Sequence, residues 1–118
     1  MGGAAAKELS DALAKKGIAY IDSPVVGGAI AAEAGNLGSL NSGPKAAFDT
    51  VKPMIDVFCP RGTSYVGEGE LSRICKIAHN VMLGVVIQNL IEITLLVNKM
   101  GVPRQVLPLP AASLIYNW

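Results

Sequence analysis

The chain of 118 residues is poor in charge, in aromatic side chains and in cysteine. Its 10 basic and 9 acidic residues give a net charge of +1 and form no Lys/Arg cluster, which argues against a nucleic-acid-binding surface. Two cysteines, Cys59 and Cys75, are too few for a disulfide scaffold and lack the spacing of a zinc site. We therefore expect no metal site and two reduced thiols in a cytoplasmic protein.

The sequence also lacks an apolar run long enough to cross a membrane. Its longest uncharged stretch, residues 77–91, falls short of the about 20 apolar residues that a spanning helix needs. That stretch contains His79 and Asn80, and the N-terminus has acidic residues and no apolar signal region. We expect no membrane segment and interpret residues 77–91 as part of a helix that is covered by protein.

Half of the residues are hydrophobic, and their pattern predicts alternating helices and strands in the first 66 residues and helices after that. Helices are predicted at residues 4–16, 44–58 and 70–100, and strands at 18–21, 38–40 and 63–66. Gly17 and Gly101 are predicted to end their helices, and Pro53 is expected to kink or split the second one. Pro103 is expected to begin another helix, followed by an irregular tail.

Two glycine motifs are candidates for ligand binding. The first, GEGELS at residues 67–72, stands between a strand and a helix, which is where a dinucleotide-phosphate loop would lie. Its sixth residue is Ser72 instead of glycine, and Glu68 and Glu70 would repel a pyrophosphate. We favour a strand-to-helix connection whose carboxylates suit a helix dipole. The chain contains no G-x-G-x-x-G and no P-loop.

The second motif, residues 22–40, is a glycine-rich stretch that includes the pair Gly27 and Gly28. Paired glycines expose backbone N–H groups and allow a ligand to approach closely. On its own this stretch is more simply a surface loop.

The segment KIAHN places Lys76, His79 and Asn80 within one turn of the long predicted helix, with Gly84 leaving a notch on the same face. The simple interpretation is a lysine with its stem on the core, a core histidine and a solvent-facing amide. The functional one is a partly buried lysine that moves a proton, beside an amide that holds the substrate.

The order of these motifs carries a resemblance. A pattern D-x-P-V-x-G-G…G-x-L is followed by G-x-G and by a long helix with K-x-x-H-N, and its fixed positions are Asp22, Pro24, Val25, Gly27, Gly28, Gly35 and Leu37. This resembles the β-hydroxyacid dehydrogenases, the family of 3-hydroxyisobutyrate dehydrogenase and 6-phosphogluconate dehydrogenase. The resemblance covers essentially the whole chain.

The resemblance implies a fold and a site. The expected fold is the α/β end of a Rossmann-type nucleotide-binding domain (residues 1–68), followed by α-helices that include one long interdomain helix (residues 69–118). Lys76 would be the general acid/base and Asn80 would orient the substrate. The substrate-binding residues would be Val26, Gly27, Gly28 and His79. The implied cofactor is NAD or NADP, and the implied substrate is a small hydroxyacid.

Three departures from the family lead us to expect only the middle of such an enzyme. The family's phosphate loop lies near the start of its subunit and has no counterpart here, so weak or no cofactor binding is expected. The family's helical domain continues past Trp118. The residue before the glycine pair is usually a serine that hydrogen-bonds the substrate, whereas here it is Val26.

Two hypotheses of different class follow. The chain is a segment of an NAD(P)-dependent oxidoreductase, inactive alone, or it is a non-catalytic, self-associating remnant of that family. Under either hypothesis the apolar long helix predicts a homodimer or higher oligomer, because a helix hydrophobic on all sides is normally buried on all sides.

Overall fold

The structure is a computed structural model that describes residues 3–103 and residue 106. Seven elements follow one another along the chain: α1 (Gly3–Ala14), β1 (Val25–Val26), α2 (Gly28–Glu33), β2 (Gly38–Ser42), α3 (Lys45–Phe58), β3 (Gly62–Gly67) and α4 (Leu71–Lys99). The expected class, an α/β segment followed by one long helix, is confirmed. The chain divides into two compact units, Met1–Ala78 and His79–Trp118, and the division falls within α4.

The sheet of the first unit has the order β1-β2-β3. β2 lies in the centre, antiparallel to β1 and parallel to β3, with Ser39 opposite Val25 on one side and Thr63 on the other. A parallel pair needs a crossover, and α3 supplies it. The predicted strands at 38–40 and 63–66 are therefore present, each two residues longer than expected.

The strand predicted at residues 18–21 is wrong. The extended pairing begins one residue later, where Asp22 and Ser42 exchange two backbone hydrogen bonds of 2.9 Å, and it keeps the same register through Val26 and Gly38. Pro24 has no N–H, so the segment is interrupted before β1. The residues that we interpreted as a loop thus hold β1 and the short helix α2.

Helix α3 covers the sheet with Phe48 and Ile55, which are both buried. The ring of Phe48 stacks on that of Tyr65 with a centroid distance of 5.0 Å. Of the two effects expected of Pro53, the split does not occur, since α3 runs unbroken from Lys45 to Phe58. Both Pro53 and Asp49, whose carbonyl loses its N–H partner, lie on the exposed side, where water can satisfy that carbonyl.

The predicted helix ends at Gly17 and Gly101 are confirmed. Both glycines have positive φ, 71° and 92°. The N–H of Ile18 bonds the carbonyl of Leu13 at 3.1 Å, and the N–H of Val102 bonds that of Val97 at 3.0 Å, as in a Schellman motif. The helix and tail predicted after Pro103 lie almost wholly outside the described residues.

The apolar core of the described residues is small. Its buried hydrophobic members are Ala6, Phe48, Ile55 and Cys59. In contrast, most large apolar side chains of α4 are exposed. By length and composition α4 could cross a membrane. One helix of this kind is weak evidence for a membrane span, and α4 carries Lys76, His79, Asn80 and Glu92 along its length.

The two cysteines differ in their surroundings. Cys59 is buried and Cys75 exposed, and both are free thiols, as expected.

Polar side chains fill the centre of the sheet. Asn41 on β2 is fully buried, and its amide donates to Ser39 Oγ at 3.0 Å and to the Ser64 carbonyl at 3.1 Å. Its Oδ1 accepts a hydrogen bond of 2.6 Å from Ser23. Every polar atom of this side chain therefore has a partner, which is the condition under which a buried amide is tolerated.

A second polar cluster fixes the start of α4. Ser72 Oγ lies 2.7 Å from Ser42 Oγ and 3.2 Å from the Asp22 carbonyl, and Ser42 Oγ lies 2.8 Å from the Gly69 carbonyl. The two hydroxyl groups have only two protons to donate among these three contacts. In the arrangement that uses the two shortest contacts, Ser72 Oγ donates to Ser42 Oγ, and Ser42 Oγ donates to the Gly69 carbonyl.

An ion pair reinforces that cluster, since Arg73 Nη2 donates to Asp22 Oδ2 at 2.7 Å. Burial opposes the charge on the guanidinium. The charge of Asp22 and its hydrogen bond outweigh that burial and raise the pKa of Arg73. The arginine stays charged, and α4 begins at a fixed point on the sheet.

We expect Ser72→Ala to lower the free energy of unfolding by about 1–2 kcal/mol. The change removes the Ser72 hydroxyl, which donates a hydrogen bond to Ser42 Oγ. Because residue 72 is fully buried, water cannot replace that donor. Ser64→Ala is the matched control, because the side chain of Ser64 is exposed on β3. Urea denaturation of both variants measures the difference, and equal midpoints would contradict the cluster's role.

Candidate functional site

The glycine pair forms an open turn between β1 and α2. Gly27 has φ 132° and Gly28 φ 70°, both in the region that favours glycine. A Cβ on Gly27 would lie 2.7 Å from Ala31 Cβ, so only glycine fits there, whereas nothing lies within 4 Å of the Cβ position at Gly28. The turn therefore leaves room for a ligand directly above Gly28.

Val26 ends β1 and turns its side chain toward the neighbouring strand. Its Cγ2 lies 3.1 Å from the position that a Cβ on Gly38 would take, so the isopropyl group fills the space over that glycine. Val26 is half-buried. It contributes a backbone and an apolar surface to the turn, but no side-chain donor.

Arg61 is a residue of this region that the motifs did not reveal. It immediately precedes β3, and its N–H donates to the Leu37 carbonyl at 3.1 Å. Its Nη1 lies 3.7 Å from the Cβ position at Gly27. The guanidinium thus lies beside Gly27, the first residue of the glycine pair. A lone arginine in an otherwise ordinary PRG segment gave no sequence signal for this.

Lys76 lies in the second turn of α4 and is half-buried. Its ammonium makes no hydrogen bond or ion pair with any described residue. Three other helical lysines differ, since Lys7, Lys45 and Lys52 each pair with an aspartate four residues on. Lys76 is therefore a half-buried cation whose side chain is available to a ligand.

His79 and Asn80 follow on the same helix, in the second unit. His79 is half-buried and Asn80 is exposed, and Nδ1 of the histidine lies 3.4 Å from Oδ1 of the amide. One turn further, nothing lies within 4 Å of the Cβ position at Gly84, so the helix borders open space there. The Asn80 amide group is accessible to a ligand.

The predicted site residues thus fall into separate sets. Val26, Gly27 and Gly28 form one turn of the first unit, and Lys76 lies on α4 in the same unit. Among the described residues, no hydrogen bond or ion pair joins that turn to Lys76. Their roles in binding and catalysis remain predictions from the sequence.

The GEGELS segment is a strand-to-helix connection. The carbonyl of Glu70 accepts from the N–H groups of Arg73 and Ile74 in the first turn of α4. Its carboxylate lies 2.8 Å from the Cβ position at Gly3, the first residue of α1, where a negative charge suits the helix dipole. Ser72, which breaks the glycine fingerprint, is the buried hydroxyl described above.

A cleft of about 430 Å³ opens between α1 and this connection. Its ionisable lining consists of Lys7, Tyr20, Asp11, Asp22, Glu68 and Glu70. Asp11 hydrogen-bonds Lys7 and raises the pKa of that lysine, so the cation is already paired. Carboxylates predominate, and the cleft does not fit the phosphates of a dinucleotide.

Comparison with known proteins gives a family match over the first unit. A family model described as the NAD binding domain of 6-phosphogluconate dehydrogenase matches residues 2–67. This stretch contains α1, the sheet, α2 and α3. It ends where β3 gives way to α4.

Individual proteins extend the similarity into α4. A 3-hydroxyisobutyrate dehydrogenase of Pseudomonas aeruginosa is 30% identical over 86% of this chain, and an L-threonate dehydrogenase of Haemophilus influenzae is 32% identical over 86%. The chain spans 34% of the length of each. Among solved structures, Psf3 in complex with NADP+ and 2-OPP superposes with a TM-score of 0.77 at 30% identity, covering 87% of this chain and 36% of that one.

Proposed function

Because this chain belongs to the β-hydroxyacid dehydrogenase family, we propose that it is a segment of an NAD(P)-dependent oxidoreductase that acts on a small β-hydroxyacid. The cofactor class follows from the family, whose matched domain binds NAD and whose solved relative holds NADP+. The observation that carries the proposal is the open Gly27–Gly28 turn together with Lys76, a half-buried cation without a partner among the described residues.

In this proposal the substrate binds at the Gly27–Gly28 turn. Gly27 and Gly28 offer backbone N–H groups, Val26 an apolar wall, and His79 a further polar contact. Asn80 orients the hydroxyl whose proton moves, and Lys76 Nζ takes up that proton or returns it, as a general acid/base. The nicotinamide cofactor, when bound, accepts or gives the hydride.

We propose that the complete cofactor site requires more than this chain. The chain spans about a third of its curated relatives, its sequence holds no dinucleotide-phosphate loop, and its acidic cleft does not fit a pyrophosphate. The proposed boundary between the end of a Rossmann-like domain (residues 1–68) and the start of a helical one (residues 69–118) is supported by the extent of the family match, which stops at residue 67.

From this we predict that the chain alone does not bind NAD(H) or NADP(H) tightly. The dissociation constant is expected to be weaker than about 100 µM, about −5.5 kcal/mol. Calorimetric titration at millimolar cofactor measures it. A tighter constant would mean that the described residues form a phosphate site that their charges do not suggest.

The proposed function is tested in a chimera. The matched third of the Pseudomonas aeruginosa 3-hydroxyisobutyrate dehydrogenase is replaced by this chain, so that the remainder supplies the cofactor loop. We expect hydride transfer from a small β-hydroxyacid to the cofactor. The absorbance of the NAD(P)H that forms measures the rate. Circular dichroism controls for folding. A folded chimera without activity, across a panel of hydroxyacids with both cofactors, would favour a non-catalytic remnant.

That remnant, held together by self-association, is the second candidate. The observation that favours it is the exposed apolar surface of α4, formed by Ile74, Ile77, Val81, Met82, Val85, Val86, Ile87, Ile91, Ile93, Leu95 and Leu96. Monomers rarely expose apolar patches beyond a few hundred Å².

Both candidates therefore predict a homodimer or higher oligomer in the cytoplasm, with a two-fold dimer as the commonest solution. Light scattering at micromolar concentration measures the mass. A value of 12.2 kDa, the mass of one chain, would contradict self-association.

A further inference from the structure

We propose that Arg61 binds the carboxylate of the hydroxyacid at the Gly27–Gly28 turn and so selects acids over uncharged alcohols. This inference rests on the proposed function, because it names the group that recognises the acid half of its substrate. Arg61 is thereby a specificity-determining residue, separate from the proton transfer assigned to Lys76.

The backbone of Arg61 is anchored beside β2, and its side chain extends toward Gly27. The backbone N–H of Arg61 bonds the Leu37 carbonyl, and its Cβ lies 3.8 Å from the Cβ position at Gly38. Its Nη1 lies 3.7 Å from the Cβ position at Gly27. The side chain therefore runs from the first residue of β2 toward Gly27, and its charged end lies beside that glycine, next in sequence to the open position at Gly28.

The turn by itself supplies no charge. Gly27 and Gly28 have only backbone donors, and Val26 directs its isopropyl group toward Gly38. A carboxylate that leaves water needs a cation or several donors to replace its hydration. Among the residues shown to lie within 4 Å of the Cβ position at Gly27, which are Ala31, Leu37 and Arg61, only the arginine is charged.

The guanidinium is available for that role. Arg61 is exposed, and its side chain makes no hydrogen bond or ion pair with a described residue. A guanidinium presents parallel N–H donors that match both oxygens of a carboxylate. Arg73 differs, because it is engaged by Asp22.

The test uses the native 118-residue chain, isotope-labelled, with 3-hydroxyisobutyrate and the uncharged amide of the same acid as probes. Amide resonances of Gly27 and Gly28 are followed by NMR during each titration. We expect the acid to shift them and the amide to bind roughly ten- to hundredfold more weakly. Arg61→Gln should weaken acid binding by the same roughly ten- to hundredfold factor, and Arg61→Lys should fall between, because it keeps the charge without the fork.

Lys16→Gln is the matched control, since it removes one exposed cation elsewhere in the first unit. It should leave acid binding unchanged, and unaltered resonances away from the turn verify folding of each variant. If the acid binds the native chain and Arg61→Gln equally well, the role of Arg61 is overturned while the proposed function stands. If neither probe shifts Gly27 and Gly28 in the native chain, the substrate turn fails together with Arg61.

Discussion

Lys76→Ala in the active chimera is expected to lower kcat by about 10²- to 10⁴-fold, the usual contribution of a general acid/base. The reason is that Lys76 is half-buried and has no partner among the described residues, which leaves its side chain available to a substrate. Removal of a group that acts only on the moving proton should reduce kcat far more than it raises KM.

Lys99→Ala is the control for this prediction, because Lys99 is exposed in the last turn of the same helix. Lys99→Ala removes the same charge as Lys76→Ala, but far from Lys76 along α4. As a surface change, it should leave kcat within about twofold of the value for the unmodified chimera. Steady-state rates at saturating cofactor decide the matter. If the two lysine variants have similar kcat values, KIAHN is not the proton-transfer site.

Phe48→Ala is expected to lower the free energy of unfolding by about 3–5 kcal/mol. Phe48 is 3% exposed and is the largest apolar side chain in the small core of the described residues. Its loss leaves a cavity beneath α3 and removes the stacking on Tyr65, which itself hydrogen-bonds the Gly43 carbonyl at 2.9 Å. The free energy of unfolding of a protein is typically about 5–15 kcal/mol, so this one substitution would remove a large part of it.

Phe58→Ala provides the comparison on the same helix, since its ring is 48% exposed and it ends α3. We expect it to cost about 1 kcal/mol or less. Urea denaturation followed by circular dichroism gives both values. Equal costs would show that the packing of α3 on the sheet is not the main source of stability in the first unit.

Helices α1, α3 and α4 and the strand β3 could be predicted from sequence because their signals are local. Glycine ends α1 and α4, and the apolar spacing of α3 lies within the helix itself. Even there the pattern was misleading in detail. The apolar spacing puts Met54 and Phe58 on one face with Ile55, whereas both are exposed and Phe48 is buried.

The central strand was predicted only in part because its signal is not hydrophobic. β2 reads GSLNS, a composition typical of loops, and it is buried only because its polar atoms find partners on Ser23, Ser64, Gly69 and Ser72. Those partners are distant in sequence, so no local pattern reveals them. The same holds for Arg61, whose relation to Gly27 depends on the pairing of β2 with β3.

The ion pair of Asp22 with Arg73 has a consequence during protein synthesis. The two residues are 51 positions apart. At about 5–20 residues per second, a ribosome needs about 3–10 s to deliver Arg73 after Asp22. During that interval the Asp22 carboxylate and the acceptor sites around Ser42 are without their final partners. The polar cluster beside the sheet of the first unit is therefore complete only when the beginning of α4 has been synthesised, immediately before the most apolar segment of the chain.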